Sequence, residues 1–209
     1  MSNNFEYYNR INIDLLKRIP LYSKNILEVG CGAGAMGYRF KMRQPNCKYI
    51  GIEQSQEAAL LAKKRIDEVF MCNVEEEYNI LDQINHIDCL IYGDVLEHLV
   101  DPWTCVARQS DYLSDEGLMI ACIPNVQHWS MIQQLLYGKW QLNEEGLFDK
   151  THLRWFTHSG IRELVSTCKL NLLEISPRIF NPKAIKNFVS KIEPALINFG
   201  INKEKFIRF

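Results

Sequence analysis

The stretch Ile26-Leu27-Glu28-Val29-Gly30-Cys31-Gly32-Ala33-Gly34 decides the reading of this chain. An apolar run of strand character passes directly into three glycines at alternate positions, and a helical pattern follows over 35–43. Glycine tolerates positive φ and lets another group approach the backbone closely, so this unit reads as a ligand-cradling turn at a sheet edge. Outward from it, Cys47–Ile52, Val69–Cys72, Ile87–Tyr92 and Leu118–Pro124 read as further strands. Ser55 is a helix cap for a segment running to about Glu68, and Asp101-Pro102 starts another helix. Strands separated by helical crossovers imply an α/β fold with a doubly wound, mostly parallel sheet. With Leu170–Ser176 and Lys205–Phe209 as final strands, seven strands are predicted.

Composition sets the bounds but not the chemistry. The 209 residues carry 24 basic and 25 acidic side chains, a net charge of −1, which gives no support for a dedicated nucleic-acid binder. Seven cysteines without a Cys-x-x-Cys pair, several in apolar runs, point to reduced thiols rather than zinc or disulfides. Met1-Ser2-Asn3-Asn4-Phe5-Glu6 has no apolar signal core, and no run is long enough to span a bilayer. A cytoplasmic protein with no membrane span is the expectation. One domain over 1–209 is expected. Within it, 1–124 forms the ligand-binding half, 125–157 an aromatic-rich helical insertion or lid after strand five, and 158–209 the last helices and strands.

The ligand follows from the charges around the glycines. A dinucleotide fingerprint places its third glycine one residue later and rests a pyrophosphate on the helix N-terminus. Here position 35 is Ala, and Glu28 at the strand end would repel a pyrophosphate but suits an ammonium group. S-adenosylmethionine carries an α-amine and a sulfonium and no phosphate. Glu53, followed by Gln54 after the second strand, can accept both hydroxyls of a ribose. Asn73 and Val74 offer an amide and a backbone N–H at adenine height. Gly93, Asp94 and Leu96 after the fourth strand close the methionine end.

On these residues the chain resembles the class I, Rossmann-like S-adenosylmethionine-dependent methyltransferases. Glu28, Gly30, Cys31, Gly32 and Gly34 match the family's first motif, Glu53 its ribose acid and Asn73 its adenine position, where Asp is commoner. A narrower resemblance rests on Ile123–Ser130, Leu136–Trp140 and Asp149–Thr157. These runs are similar to bacterial methyltransferases found beside or fused to glycosyltransferases of surface-polysaccharide pathways. That kinship implies a hydroxyl on a sugar or glycan precursor as the acceptor.

Methyl transfer to a hydroxyl needs an aligned acceptor, exclusion of water and a proton acceptor. His98 is the first candidate base, four residues beyond Asp94 and so on one side with it if the turn is helical. His152 and Arg154, in the lid segment, are the next candidates, and His128 a further one. Asp94, Glu97, His98 and a distant His152 also point to a divalent metal, as in ubiquinone-pathway and small-RNA methyltransferases that carry a Glu/His pair here. Segment 67–107 holds ten acidic residues and no Lys or Arg, which favours a cation. Many metal-free relatives share the Leu-Glu-His-Leu run, so no metal ligand is assigned. The rival readings are another small-molecule O- or N-methyltransferase, an NAD-binding oxidoreductase, and a regulator that binds the cofactor without turnover.

Overall fold

The structure, a computed structural model, describes residues 8–76, 81–82, 84, 86–178 and 182–201. Two compact units form, Met1–Ile123 and Pro124–Phe209. In chain order the first holds α1 (Ile13–Arg18), β1 (Asn25–Val29), α2 (Ala35–Lys41), β2 (Lys48–Ile52), α3 (Gln56–Ala62) and β3 (Glu68–Phe70). Then come β4 (Ile87–Gly93), a 3₁₀ turn (Leu96–His98), α4 (Pro102–Ser110) and β5 (Leu113–Cys122). The sheet is parallel throughout, in the order β3-β2-β1-β4-β5. This is a Rossmann-like arrangement with β1 at its centre.

A parallel sheet buried on both faces needs apolar side chains on both, and β1 has them, with Ile26, Leu27 and Val29 almost wholly buried. Register puts Ile26 beside Tyr49 and Cys89, and Glu28 beside Gly51 and Ile91. The Ile26 face packs with Leu15, Leu16 and Ile19 around α1, Met36 and Phe40 of α2, and Ala59 and Ala62 of α3. On the opposite face Tyr92 is fully buried and its hydroxyl donates to Gln109 of α4 at 2.5 Å. Ser55 caps α3 by accepting from the Ala58 N–H, and Asp101 caps α4 by accepting from the Thr104 N–H with Pro102 at the first helical position.

The sheet has five strands among the described residues, and the seven-stranded expectation is corrected. Segment 170–176 is irregular and pairs with no strand, and its Leu173 is 77% exposed. Lys205–Phe209 lies outside the described residues. α3 ends at Ala62 rather than near Glu68, because Ile66 and Val69 are drawn into the core and Glu68 opens β3. β5 starts at Leu113, earlier than its apolar run, and the Ser114–Gly117 stretch passes through a shift of register against β4.

The second unit holds α5 (Trp129–Leu136), α6 (His158–Thr167) and α7 (Pro182–Asn198). Ile185, Phe188 and Val189 of α7 form its buried cluster with Trp129 and Ile132 of α5. Within 125–157 only α5 is a regular helix. Trp140 instead meets Phe148 and Trp155 edge-on, at 5.4 and 4.9 Å between ring centroids, so the aromatic stretch packs a small core of its own. The seven cysteines are not joined in disulfides, and no helix among the described residues is long and apolar enough to cross a membrane.

Gly37 of α2 tests which effect governs this packing. Helix propensity alone makes Gly→Ala stabilising by about 0.8–1 kcal/mol. A Cβ at Gly37, however, would sit 2.6 Å from Ile66 Cγ2 and from the Tyr49 ring, and Tyr49 is fully buried. Gly37→Ala is therefore expected to destabilise by about 1–3 kcal/mol in urea denaturation, and a gain in stability would contradict the packing described.

Candidate functional site

Parallel strands deliver their carboxyl ends to one edge, and the sequence candidates of the first unit lie there. Gly30 follows β1, Glu53 follows β2, Asn73 follows β3, and Asp94 follows β4. Gly30, Gly32 and Gly34 have φ of 70°, 54° and 71°, the left-handed region closed to most side chains. At Gly30 space matters as well, since a Cβ there would lie 2.4 Å from Val95 Cγ2.

The amide hydrogens of this turn are committed within the protein. Gly30 and Cys31 N–H donate to the Ile52 carbonyl at 2.8 and 3.2 Å, and Gly34 N–H donates to the Cys31 carbonyl at 2.9 Å. Ala33 N–H donates to the Tyr8 carbonyl at 2.9 Å. Gly32 N–H donates to Glu53 Oε2, also at 2.9 Å, while Glu53 Oε1 accepts from Ser55 N–H at 2.8 Å. Turns that grip phosphate do so with such N–H groups pointing at the anion. Here a phosphate would have to displace five existing bonds.

What the turn presents instead is a pair of buried acidic side chains. Glu28 is only 5% exposed and Glu53 only 7%. The Tyr49 hydroxyl donates to Glu28 Oε2 at 2.8 Å. Burial pushes the Glu28 carboxyl up to about 8 and the charge of Glu53 adds to that, while the Tyr49 hydrogen bond opposes both. The Cys31 thiol is held far above its ordinary range, first by burial and then by Glu28 and Glu53, which makes it an unreactive packing residue.

The remaining candidates are placed as follows. Gln54 is exposed and Val74 half-buried. Asn73 closes a local turn, its Oδ1 accepting from Glu75 N–H and its Nδ2 donating to Glu76 Oε1. Gly93 ends β4, Leu96 is fully buried, and Asp94 is exposed with a φ of 56° and its N–H on the Cys122 carbonyl. His98 is half-buried in a 3₁₀ turn that covers only Leu96–His98. Asp94, in left-handed backbone, stands outside that turn, so the helical i, i+4 argument linking it to His98 does not apply.

In the second unit His152 meets Trp155 edge-on at 5.5 Å, and Arg154 Nη1 donates to the Leu153 carbonyl. His128 caps α5, with Nδ1 2.8 Å from Ser130 Oγ, and burial lowers its pKa. Tyr49, Ser55 and the Tyr8 carbonyl were not among the sequence candidates. Tyr49 carried a signal, as the one hydroxyl-bearing side chain on the inward face of β2. The Tyr8 carbonyl, a backbone group, carried none.

A family model described as a methyltransferase domain matches residues 27–119. The ubiquinone biosynthesis O-methyltransferase of Cereibacter sphaeroides is 21% identical over 175 residues, covering 81% of this chain and 69% of the relative. Among solved structures, a S-adenosylmethionine-dependent methyltransferase from Archaeoglobus fulgidus superposes with a TM-score of 0.59 at 13% identity, covering 91% of this chain and 90% of that one. The plantazolicin methyltransferase BamL, in complex with a triazolic desmethylPZN analog and S-adenosylhomocysteine, gives 0.56 at 18% identity over 79% of this chain. This chain spans only 60% of that protein's length. At these identities the structural likeness establishes the fold alone. Residues 27–119 match the methyltransferase-domain model, and the same residues carry the glycine turn and the Rossmann-like sheet order.

Proposed function

We propose that the protein transfers a methyl group from S-adenosylmethionine to a hydroxyl of a small polar acceptor, most specifically a sugar or glycan intermediate. The observation that carries the cofactor half of this reading is the turn itself. Its five amide hydrogens are engaged within the protein, while two buried carboxylates, Glu28 and Glu53, lie at the same sheet edge. Such a site suits a ligand with an ammonium group and ribose hydroxyls better than one with phosphates. In this reading Glu28 faces the α-amine and Glu53 the ribose, with Gln54 beside it. Asn73 and Val74 border the adenine, and Gly93, Asp94 and Leu96 border the methionine end.

S-adenosylmethionine, when bound, supplies an activated methyl group with its own leaving group, so the chain's work is alignment and proton removal. His98 is the base of this reading, and His152 and Arg154 serve the acceptor from the 125–157 segment. The polysaccharide-type runs Ile123–Ser130 and Asp149–Thr157 support a sugar hydroxyl. The relative named for ubiquinone biosynthesis favours a second reading, with a phenolic hydroxyl as acceptor. Isotopically labelled S-adenosylmethionine incubated with nucleotide-sugar and glycan-lipid fractions, and separately with catechols, discriminates the two.

Calorimetry is expected to show binding of S-adenosylhomocysteine and none of NAD. Glu53→Ala should weaken the former by about 1.5–3 kcal/mol, as for hydrogen bonds to a charged acceptor, and unchanged affinity would refute the ribose role.

Glu28 predicts a pH dependence. An ammonium ligand favours the ionised carboxylate, whereas the free protein holds the proton up to about pH 8. Binding below that pH therefore releases a proton, and S-adenosylhomocysteine affinity should rise from pH 6 to 8. Glu28→Gln should flatten that rise, and an unaltered slope in this variant would remove Glu28 from the amine site.

His98→Ala should lower turnover by about 10²–10⁴ while leaving S-adenosylhomocysteine affinity intact. Full activity in the variant would exclude His98 as base. Loss of wild-type turnover in EDTA would instead assign Glu97 and His98 to a metal.

A further inference from the structure

The reading of the glycine turn as a cofactor cradle leaves one contact network beside it without a role. Arg65 lies in the turn that follows α3. Its Nη1 donates both to the Ala33 carbonyl at 3.0 Å and to Asn9 Oδ1 at 2.6 Å. Ala33 is thereby held on both sides, since its N–H already donates to the Tyr8 carbonyl at 2.9 Å. A Cβ on Gly32 would lie 2.9 Å from that same Tyr8 oxygen. The missing side chain at Gly32 thus makes room for the chain's own N-terminal segment. The end of α3 is equally tight against the turn, because a Cβ on Gly34 would be 3.1 Å from Ala62 Cα. That close approach is what sets Arg65 within reach of Ala33.

We propose that Arg65 is a positioning residue for the cofactor, holding Tyr8–Asn9 as a strap against the glycine turn. The guanidinium links three segments distant in sequence: the strap, the Gly30–Gly34 turn and the end of α3. Each is fixed by the other two. Ala33 sits between two residues that border the proposed ligand, so the latch sets the shape of the cradle before the ligand arrives. Preorganisation of this kind lowers the ordering cost of binding and acts on affinity. By linkage, a bound ligand tightens the strap as much as the strap tightens the ligand. An Arg is suited to the task because one nitrogen of its planar group can serve two acceptors at once.

The test is titration calorimetry with S-adenosylhomocysteine on the full chain. Arg65→Met and Asn9→Ala are each expected to weaken binding about tenfold. The double variant should be no weaker than Arg65→Met alone, because both changes remove the same contact. Asn9→Asp should keep wild-type affinity, since its carboxylate accepts the same guanidinium hydrogen. A role confined to stability would not be rescued in affinity by this one exchange. If Arg65→Met does not fold, the Asn9→Ala and Asn9→Asp pair decides. Wild-type affinity in Asn9→Ala and Arg65→Met, with the wild type binding normally, overturns the strap and leaves the cofactor reading standing. A wild type that does not bind S-adenosylhomocysteine overturns the cofactor reading, and the strap with it.

Discussion

One carboxylate joins the first two strand–helix turns of this protein. Glu53 accepts the Gly32 N–H with one oxygen and the Ser55 N–H with the other. The first bond closes the glycine turn after β1, and the second fixes the entry to α3 after β2. Both require β1 and β2 to be neighbours in register, Val29 opposite Ile52, so that the two strand ends finish at the same height. Charge-assisted bonds from backbone N–H groups are among the stronger ones a carboxylate makes. The geometry of the turn therefore depends on an acid whose other task, in the proposed reading, is ligand binding. Each oxygen keeps a further lone pair, so bracing the turn and accepting a hydroxyl are compatible.

The same sheet edge explains why the glycine turn has become self-contained. In a phosphate-binding turn the backbone N–H groups are left for the anion. Here Ile52, Glu53, Tyr8 and Cys31 supply the acceptors. The turn closes on the protein's own acceptors and contributes shape and acidic side chains, not hydrogen-bond donors. That distinction separates two ligand classes that share a strand–glycine–helix sequence pattern, and a pattern of glycines cannot express it. Gly30-x-Gly32-x-Gly34 states where the backbone bends. Which acceptors receive its hydrogens depends on groups far away in sequence.

Legibility divides along the same line. β1, β2 and β4 were readable because central parallel strands are near-continuous apolar runs, and Ser55 and Asp101 were readable because capping is local chemistry. The start of β5 was not, since Ser114, Asp115 and Glu116 interrupt its apolar pattern while the backbone still follows β4. The run Leu170–Ser176 looked like a strand on composition but has no partner edge in the described sheet. Within the site, Glu28 and Glu53 were identifiable as acids at strand ends. The hydroxyl that Tyr49 turns toward Glu28, the strap and Arg65 were invisible, because each arises from a contact between segments that only the fold brings together. Asp94 shows the opposite error: a spacing of four carries meaning on a helix and none across a left-handed residue.

Glu28 shows why such a site keeps an acid in so unfavourable a place. It stands on the face of β1 that also carries Ile26, level with Gly51 and Ile91, on the side of the sheet where the apolar cluster around α1, α2 and α3 packs. An apolar residue there would pack without the acid's desolvation cost, but it would leave the buried Tyr49 hydroxyl without the acceptor it now donates to. The acid is tolerable because it is protonated in the free protein over the neutral range and hydrogen-bonded to Tyr49. A neutral carboxyl costs the core far less than a carboxylate. In the proposed reading its ionised form becomes favourable when the ligand's ammonium group comes within reach, so the negative charge is generated by the ligand that needs it. On this view the free fold and the loaded site make different demands on one side chain, and the proton is what reconciles them.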